Sequence, residues 1–216
     1  MSLPARSILY LVVLGCLHLP LVGGTYVGGF SIEGGVPRYL GDFNSDVWGL
    51  YNFQARAYLK DVDMSFGVRF GSSLLDVSIS DQLLLEAGLQ IDNLVKDLRI
   101  SATDFVFFYD QVVSGGNNRL NSISVLIECG YSNYESRSQS GDIIYDEGNS
   151  LLLGIGILFQ HNLSRTVGIR AGFDFSIVED RYDAWNKGID FPGDTYFRIN
   201  IGIDIHDVLP RPHRFE

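Results

Sequence analysis

Nine ionisable side chains are expected on one alternating face of the chain: Glu33, Arg56, Arg69, Arg99, Glu128, Arg170, Asp174, Arg198 and Asp204. Their companions on that face are mostly glycine and serine, and the positions between them are apolar. Carboxylates and guanidiniums gathered into one narrow volume support two kinds of chemistry. They can neutralise one another as a fixed network, or they can line a polar path for small solutes. An unpaired charge withdrawn from water is very costly, so pairing across the shared volume is the expectation. Nucleophilic or hydrolytic catalysis would need a nucleophile or an activated water beside a base. His161, His206 and His213 have no such arrangement around them, so no catalytic residue and no enzymatic activity is expected. Asp180-Arg181-Tyr182-Asp183 lacks the spacing of a calcium loop, and the acidic segments read as ordinary solvated ones. Neither a metal nor a cofactor is expected.

These side chains are positioned by strands. In Ser65 to Gly71, Ile123 to Ser132, Leu151 to Gln160, Val167 to Ile177 and Tyr196 to Ile205, apolar residues recur at every second position, the period of a two-faced strand. One face carries residues such as Phe70, Ile127, Ile155, Phe173, Ile201 and Ile205 and no charge. The other carries Gly67, Gly130, Gly154, Gly172 and Gly202 with the arginines and carboxylates, and no lysine. Alternation alone does not say which face is outside, because a soluble barrel that binds an apolar ligand alternates in the opposite sense. A solvated outer face would be rich in long Lys and Glu side chains. Glycine, serine and a few paired charges suit the crowded inside of a small barrel. The apolar face is therefore expected outward, in lipid, where only a closed barrel leaves no strand edge unpaired.

Eight strand candidates follow: Tyr26 to Gly35, Trp48 to Leu59, Met64 to about Ser73, about Leu94 to Phe108, Ser122 to Tyr134, Ser150 to Gln160, Thr166 to Val178 and Thr195 to Ile205. The expected fold is all-β, an eight-stranded antiparallel up-and-down transmembrane barrel. Short connections at 60–63 and 161–165 alternate with long ones at 36–47, 74–93, 135–149 and 179–194. That asymmetry fits short periplasmic turns and long outer loops. Residues 83–98 are open to a second reading as a short helix. Tyr26, Tyr58, Phe105, Phe107, Phe108, Tyr131, Tyr134 and Tyr196 are expected in aromatic girdles, with 105–109 at the periplasmic end of the fourth strand.

Residues 1–24 read as a cleaved signal peptide: one Arg, a largely apolar core from Ile8 to Val22, then small residues before Thr25. Lipidation at Cys16 is the alternative. Residues 25–205 would form the barrel and 206–216 a tail, leaving no room for a further domain. The formal net charge is −10; removing Arg6 with the leader leaves 15 basic against 26 acidic groups, or −11. Nucleic acid is thus not an expected partner. Cys129 would be the single cysteine of the exported chain, mid-strand on the apolar face, where it acts as a small hydrophobe.

In pattern, the chain resembles the small bacterial outer-membrane β-barrel families, of which the OmpA-type transmembrane domain and OmpX are the simplest. Asn200-Ile201-Gly202-Ile203-Asp204-Ile205 fits the polar-x-Gly-apolar-x-apolar signal recognised by the barrel-insertion machinery, with Asn200, Gly202, Ile203 and Ile205 at the defining positions. Gly34-Gly35 with Tyr39, Gly41 and Asp42 is similar to a stretch that follows the first strand in many such proteins. The families commonly end on an aromatic of the last strand, whereas here His206 to Glu216 continues past it. The resemblance implies a Gram-negative outer-membrane location. It also implies lipid, lipopolysaccharide and the insertion machinery as partners, a structural, adhesion or interaction role with an unidentified envelope protein, and a narrow channel as the alternative.

Overall fold

A computed structural model describes residues 26–39, 47–61, 63–78, 97–115, 120–138, 144–178 and 194–207. The segment read as a signal peptide, Cys16, the helix alternative at 83–98, the Asp180 to Asp183 run and the tail after Asp207 lie wholly or largely outside these residues. Eight strands form: β1 (Val27–Tyr39), β2 (Val47–Lys60), β3 (Met64–Ser78), β4 (Asp97–Ser114), β5 (Asn121–Ser138), β6 (Ile144–Asn162), β7 (Val167–Val178) and β8 (Asp194–His206). Each pairs antiparallel with its neighbours in sequence, and β1 pairs with β8 from Gly29↔His206 to Tyr39↔Tyr196, so the sheet closes into a barrel.

The alternation dictates which way each side chain points. Along β7 the odd positions Ile169, Phe173, Phe175 and Ile177 are exposed, and the even positions Arg170, Gly172, Asp174 and Ser176 are buried. Phe30, Ile32, Phe70, Phe107, Ile127, Ile155, Phe159, Ile199, Ile201, Ile203 and Ile205 are also exposed on the outer face. β-branched and aromatic residues suit this pleated wall, and rings make contacts across it: Phe70 with Phe105, and Phe173 with Phe159 and Phe197. The barrel is thus inside-out relative to a water-soluble protein.

The connections 40–46, 79–96, 139–143 and 179–193, three of them the longest in the chain, leave from one end of the barrel, and 61–63, 115–120 and 163–166 leave from the other. At the short end, each turn is tied to the strand beyond it: Asp63 O accepts from Val112 N at 2.7 Å, Leu120 O from Asn162 N at 2.8 Å, and Thr166 O from His206 N at 3.0 Å.

Several strands differ from their sequence boundaries. β4 continues to Ser114, so 105–109 is mid-strand and not its end. β5 and β6 extend well into the 135–149 region, leaving only 139–143 between them. Polar residues are tolerated in a strand that stands clear of the apolar belt, which is why composition alone read this stretch as loop. Tyr58, Phe108, Tyr134 and Tyr196 point into the barrel, buried, and belong to no girdle.

The β1–β8 seam has a sharp sequence requirement. A Cβ at Gly202 would collide with the Ile32 carbonyl oxygen and Glu33 Cα, whereas one at Gly34 meets nothing within 4 Å. Gly202→Val should therefore abolish the compact, heat-modifiable gel migration of the refolded barrel, and Gly34→Ala should retain it. Normal migration of Gly202→Val would show that the seam is not packed as described.

Candidate functional site

Among the described residues, the lumen is where the fold concentrates chemically capable side chains. β1 contributes Glu33, β2 Arg56, β3 Arg69, β5 Glu128, β7 Arg170 and Asp174, and β8 Arg198 and Asp204; all are buried inside. β4 adds Asp104 and Asp110, which the sequence reading missed.

On the side toward the long connections, Arg69 makes a two-pronged contact with Glu128, Nε to Oε1 at 2.8 Å and Nη2 to Oε2 at 3.0 Å. Arg198 reaches Asp104 at 3.0 Å and Glu128 at 3.3 Å, donates to Ser176 Oγ at 2.6 Å, and pairs closely with Asp174. Arg56 lies between Glu33 at 3.2 Å and Glu128 at 3.7 Å. Asp104 further accepts from Ser132 at 2.7 Å, and Asp174 from Asn200 at 2.8 Å. Toward the short turns, Arg170 lies 3.2 Å from Asp110 and 4.0 Å from Asp204. Asp204 accepts from Tyr58 at 2.7 Å and Gln160 at 2.9 Å, with the His206 ring 3.1 Å away.

Two apolar groups interrupt this polar interior. Tyr58, Phe108, Leu126 and Leu158 pack together, and the Arg56 and Arg170 guanidiniums lie over the Phe108 and Tyr58 rings at 5.4 and 5.6 Å. Gly29 leaves the space that the Tyr58 ring occupies, because any Cβ there would overlap it. Nearer the long connections, Leu75, Ile100, Ala102, Tyr134, Leu152, Val178 and Tyr196 are buried around the inner wall. A crevice beside Pro37, Ser73, Asp104 and Arg198 holds no more than about one water.

Arg99 is the exception among the nine. The inward residues of β4 are the even ones, Ala102, Asp104, Val106, Phe108 and Asp110, which puts Arg99 on the outer face. There it pairs with Asp76 across the β3–β4 ladder at 2.8 Å, partly exposed. The phase of β4 was illegible because both faces are apolar in its middle: Val106 and Phe108 inside, Phe105 and Phe107 outside. Asp104 and Asp110, spaced evenly with Phe108, were the available signal for the correct phase.

The four positions of the insertion-signal pattern divide by face. Asn200 points inward, bonded to Asp174 and Asn52. Gly202 lies at the crowded seam, and Ile203 and Ile205 are exposed outside. Cys129 sits on the outer face between Phe107 and Leu153, as its phase requires. Among the described residues no group of three or more His, Cys, Asp or Glu could hold a metal.

No protein-family model matches the chain, and no curated protein sequence matches it. Among solved structures it is similar to Neisserial surface protein A, with a TM-score of 0.57 at 8% identity over 82% of this chain and 96% of that one. Ail of Yersinia pestis, crystallised with the heparin analogue sucrose octasulfate, gives a TM-score of 0.48 at 13% identity over 84% of this chain and 98% of that one. The Escherichia coli outer membrane protease OmpT gives 0.39 at 9% identity over 85% of this chain and 94% of that one. The fold is that of the small outer-membrane β-barrels. Within that class it is the eight-stranded, OmpA- and OmpX-like form.

Removing one member of a buried ion network leaves its partners uncompensated, at about 3–5 kcal/mol. Arg198→Ala, which strips Asp104, Glu128 and Asp174 of a shared cation, should lower the urea unfolding midpoint of the detergent-refolded barrel by an amount of that order. Arg99→Ala, on the partly solvated outer face, should leave the midpoint nearly unchanged. Equal effects would contradict the placement of Arg99 outside and Arg198 inside.

Proposed function

We propose that the chain is an outer-membrane barrel whose wall lies in lipid, and that it serves the envelope structurally or by interaction through the end bearing the long connections. It is read as neither a channel nor an enzyme. The leader-like residues 1–24 support export, and the Asn200 to Ile205 pattern supports handling by the insertion machinery. Lipid and lipopolysaccharide are the proposed surroundings, and a protein of the envelope or its exterior the proposed partner.

The exposed wall carries the location. Moving a fully exposed Ile or Phe side chain out of water gains about 1.5–3 kcal/mol, and this wall presents Ile or Phe residues roughly half exposed on every strand, each worth a part of that. The soluble alternative needed the apolar face inward around a ligand cavity. The observed interior is charged and filled, which leaves that reading without a site.

The apolar grouping of Tyr58, Phe108, Leu126 and Leu158 favours a closed lumen over a conduit. Ions crossing it would have to displace packed side chains and break the pairs that Arg170 makes with Asp110 and Asp204 beside them. Against catalysis, His206 and Asp207 stand at the short-turn end, where Asp207 sits 3.6 Å from Arg165 and His206 against Asp204.

Two measurements test the reading. The protein should fractionate with detergent-extracted outer membranes and migrate differently on gels before and after heating; release by carbonate alone would contradict the membrane location. In planar bilayers the wild type should give no stable conductance steps. Steady steps abolished by Leu126→Trp would establish a conduit instead.

A further inference from the structure

Seven of the eight junctions in the wall join strands that follow one another in the chain, so each of these pairs is held by a connection as well as by its ladder. The β1–β8 seam has the ladder alone. Three side-chain contacts between strands two apart cross that seam, and each passes over a glycine.

Asn52 on β2, Gly35 on β1 and Asn200 on β8 stand in one row of the sheet. Asn52 Nδ2 donates to Asn200 Oδ1 at 2.6 Å over Gly35, where a Cβ would come within 2.5 Å of the accepting oxygen. Tyr58 on β2 lies opposite Gly29 on β1, its ring occupies the space of the missing side chain, and its hydroxyl donates to Asp204 on β8 at 2.7 Å. In the opposite sense, Arg170 on β7, Gly202 on β8 and Glu33 on β1 share a row, with Arg170 Nη1 3.9 Å from Glu33 Oε1.

Strands on either side of a third are roughly 10 Å apart, a span that two short side chains bridge only if nothing stands between them. The glycines at 29, 35 and 202 meet that condition from the two seam strands. Opening the seam would part β1 and β2 from β8 and β7, and so would break all three contacts. These contacts stand where the hairpin connection is missing.

We propose that they are straps that hold the seam shut, so that β1 leaves β8 only when β2 and β7 release their hold as well. The folded barrel then has no lateral opening between its first and last strands. Neither lipid nor a strand of a second copy enters there.

The test is residue-resolved amide hydrogen exchange on the full chain refolded in detergent, comparing the β1–β8 ladder with the β4–β5 ladder. Tyr58→Phe keeps the ring over Gly29 and removes only the donor, and Asn52→Ala removes the other hydrogen-bonded strap. Ser65→Ala is the control, because Ser65 bonds to Asp110 on the adjacent strand and crosses no third one. Each strap variant should speed exchange in the β1–β8 ladder, Tyr58→Phe the more strongly because its acceptor is a carboxylate. Together they should speed it at least about tenfold, with the β4–β5 ladder changed less than about threefold and the control changing neither. Equal acceleration of both ladders would reduce the straps to general stability and overturn the proposal, as would an equal effect of Ser65→Ala at the seam. If the double variant does not show the heat-modifiable migration of a folded barrel, the single variants decide: a folded one with unchanged seam exchange overturns its strap.

Discussion

A strand wall that meets hydrocarbon has nothing outside to hydrogen-bond with, so every backbone N–H and C=O within the lipid must be satisfied by another strand. Most of the structure follows from that constraint. The sheet has to close, which it does through eleven register pairs between β1 and β8. Closure in turn needs glycine where strands crowd, as at Gly202 against β1. Above the apolar belt the constraint lapses, because water can satisfy a free edge. There the long strands β5 and β6 outrun β7, and polar residues such as Asn149 and Glu147 appear on the outer face.

Closing the barrel creates a second demand. Period-two alternation sends every other side chain into a lumen too narrow for bulk water, and the inward set contains four fully or nearly buried arginines. Each is surrounded by carboxylates from several strands, so the network crosses the lumen and does not run along one hairpin. Such a network is weak evidence for net stability, since taking its members out of water costs as much as their attraction returns. Its specificity is clearer: Glu128 forms ion pairs with arginines on β2, β3 and β8, a combination that a slipped register would break. The apolar grouping of Tyr58, Phe108, Leu126 and Leu158 packs among these charged groups.

The fold was legible from residues whose two faces differ in kind. In β5 to β8 isoleucine and phenylalanine alternate with glycine, arginine and aspartate, and both the strands and their phase can be read directly. β4 could not be read in this way, because Phe105, Val106, Phe107 and Phe108 are apolar on both faces; that ambiguity displaced Arg99 into the lumen and hid Asp104 and Asp110. Inward tyrosines were misplaced for a related reason. An aromatic with a hydroxyl suits a membrane boundary, but it equally suits a lumen that offers an acceptor, as Asp204 does to Tyr58. The projecting tops of β5 and β6 were read as loop because a strand outside lipid needs no apolar face. Identifying their pairing required long-range register that no local pattern contains.

The inside-out arrangement is tested most directly by the surroundings of its outer face. Spin labels placed singly at Ile155, Ile201 and Phe107 in a Cys129→Ala background, with the barrel in lipid bilayers, report collisions with oxygen and with a water-soluble nickel chelate. All three labels should collide freely with oxygen and be shielded from the chelate, and a label at Glu147 should show the opposite preference. Chelate access at Ile155 and Ile201 equal to that at Glu147 would place the isoleucine face in water and contradict the account.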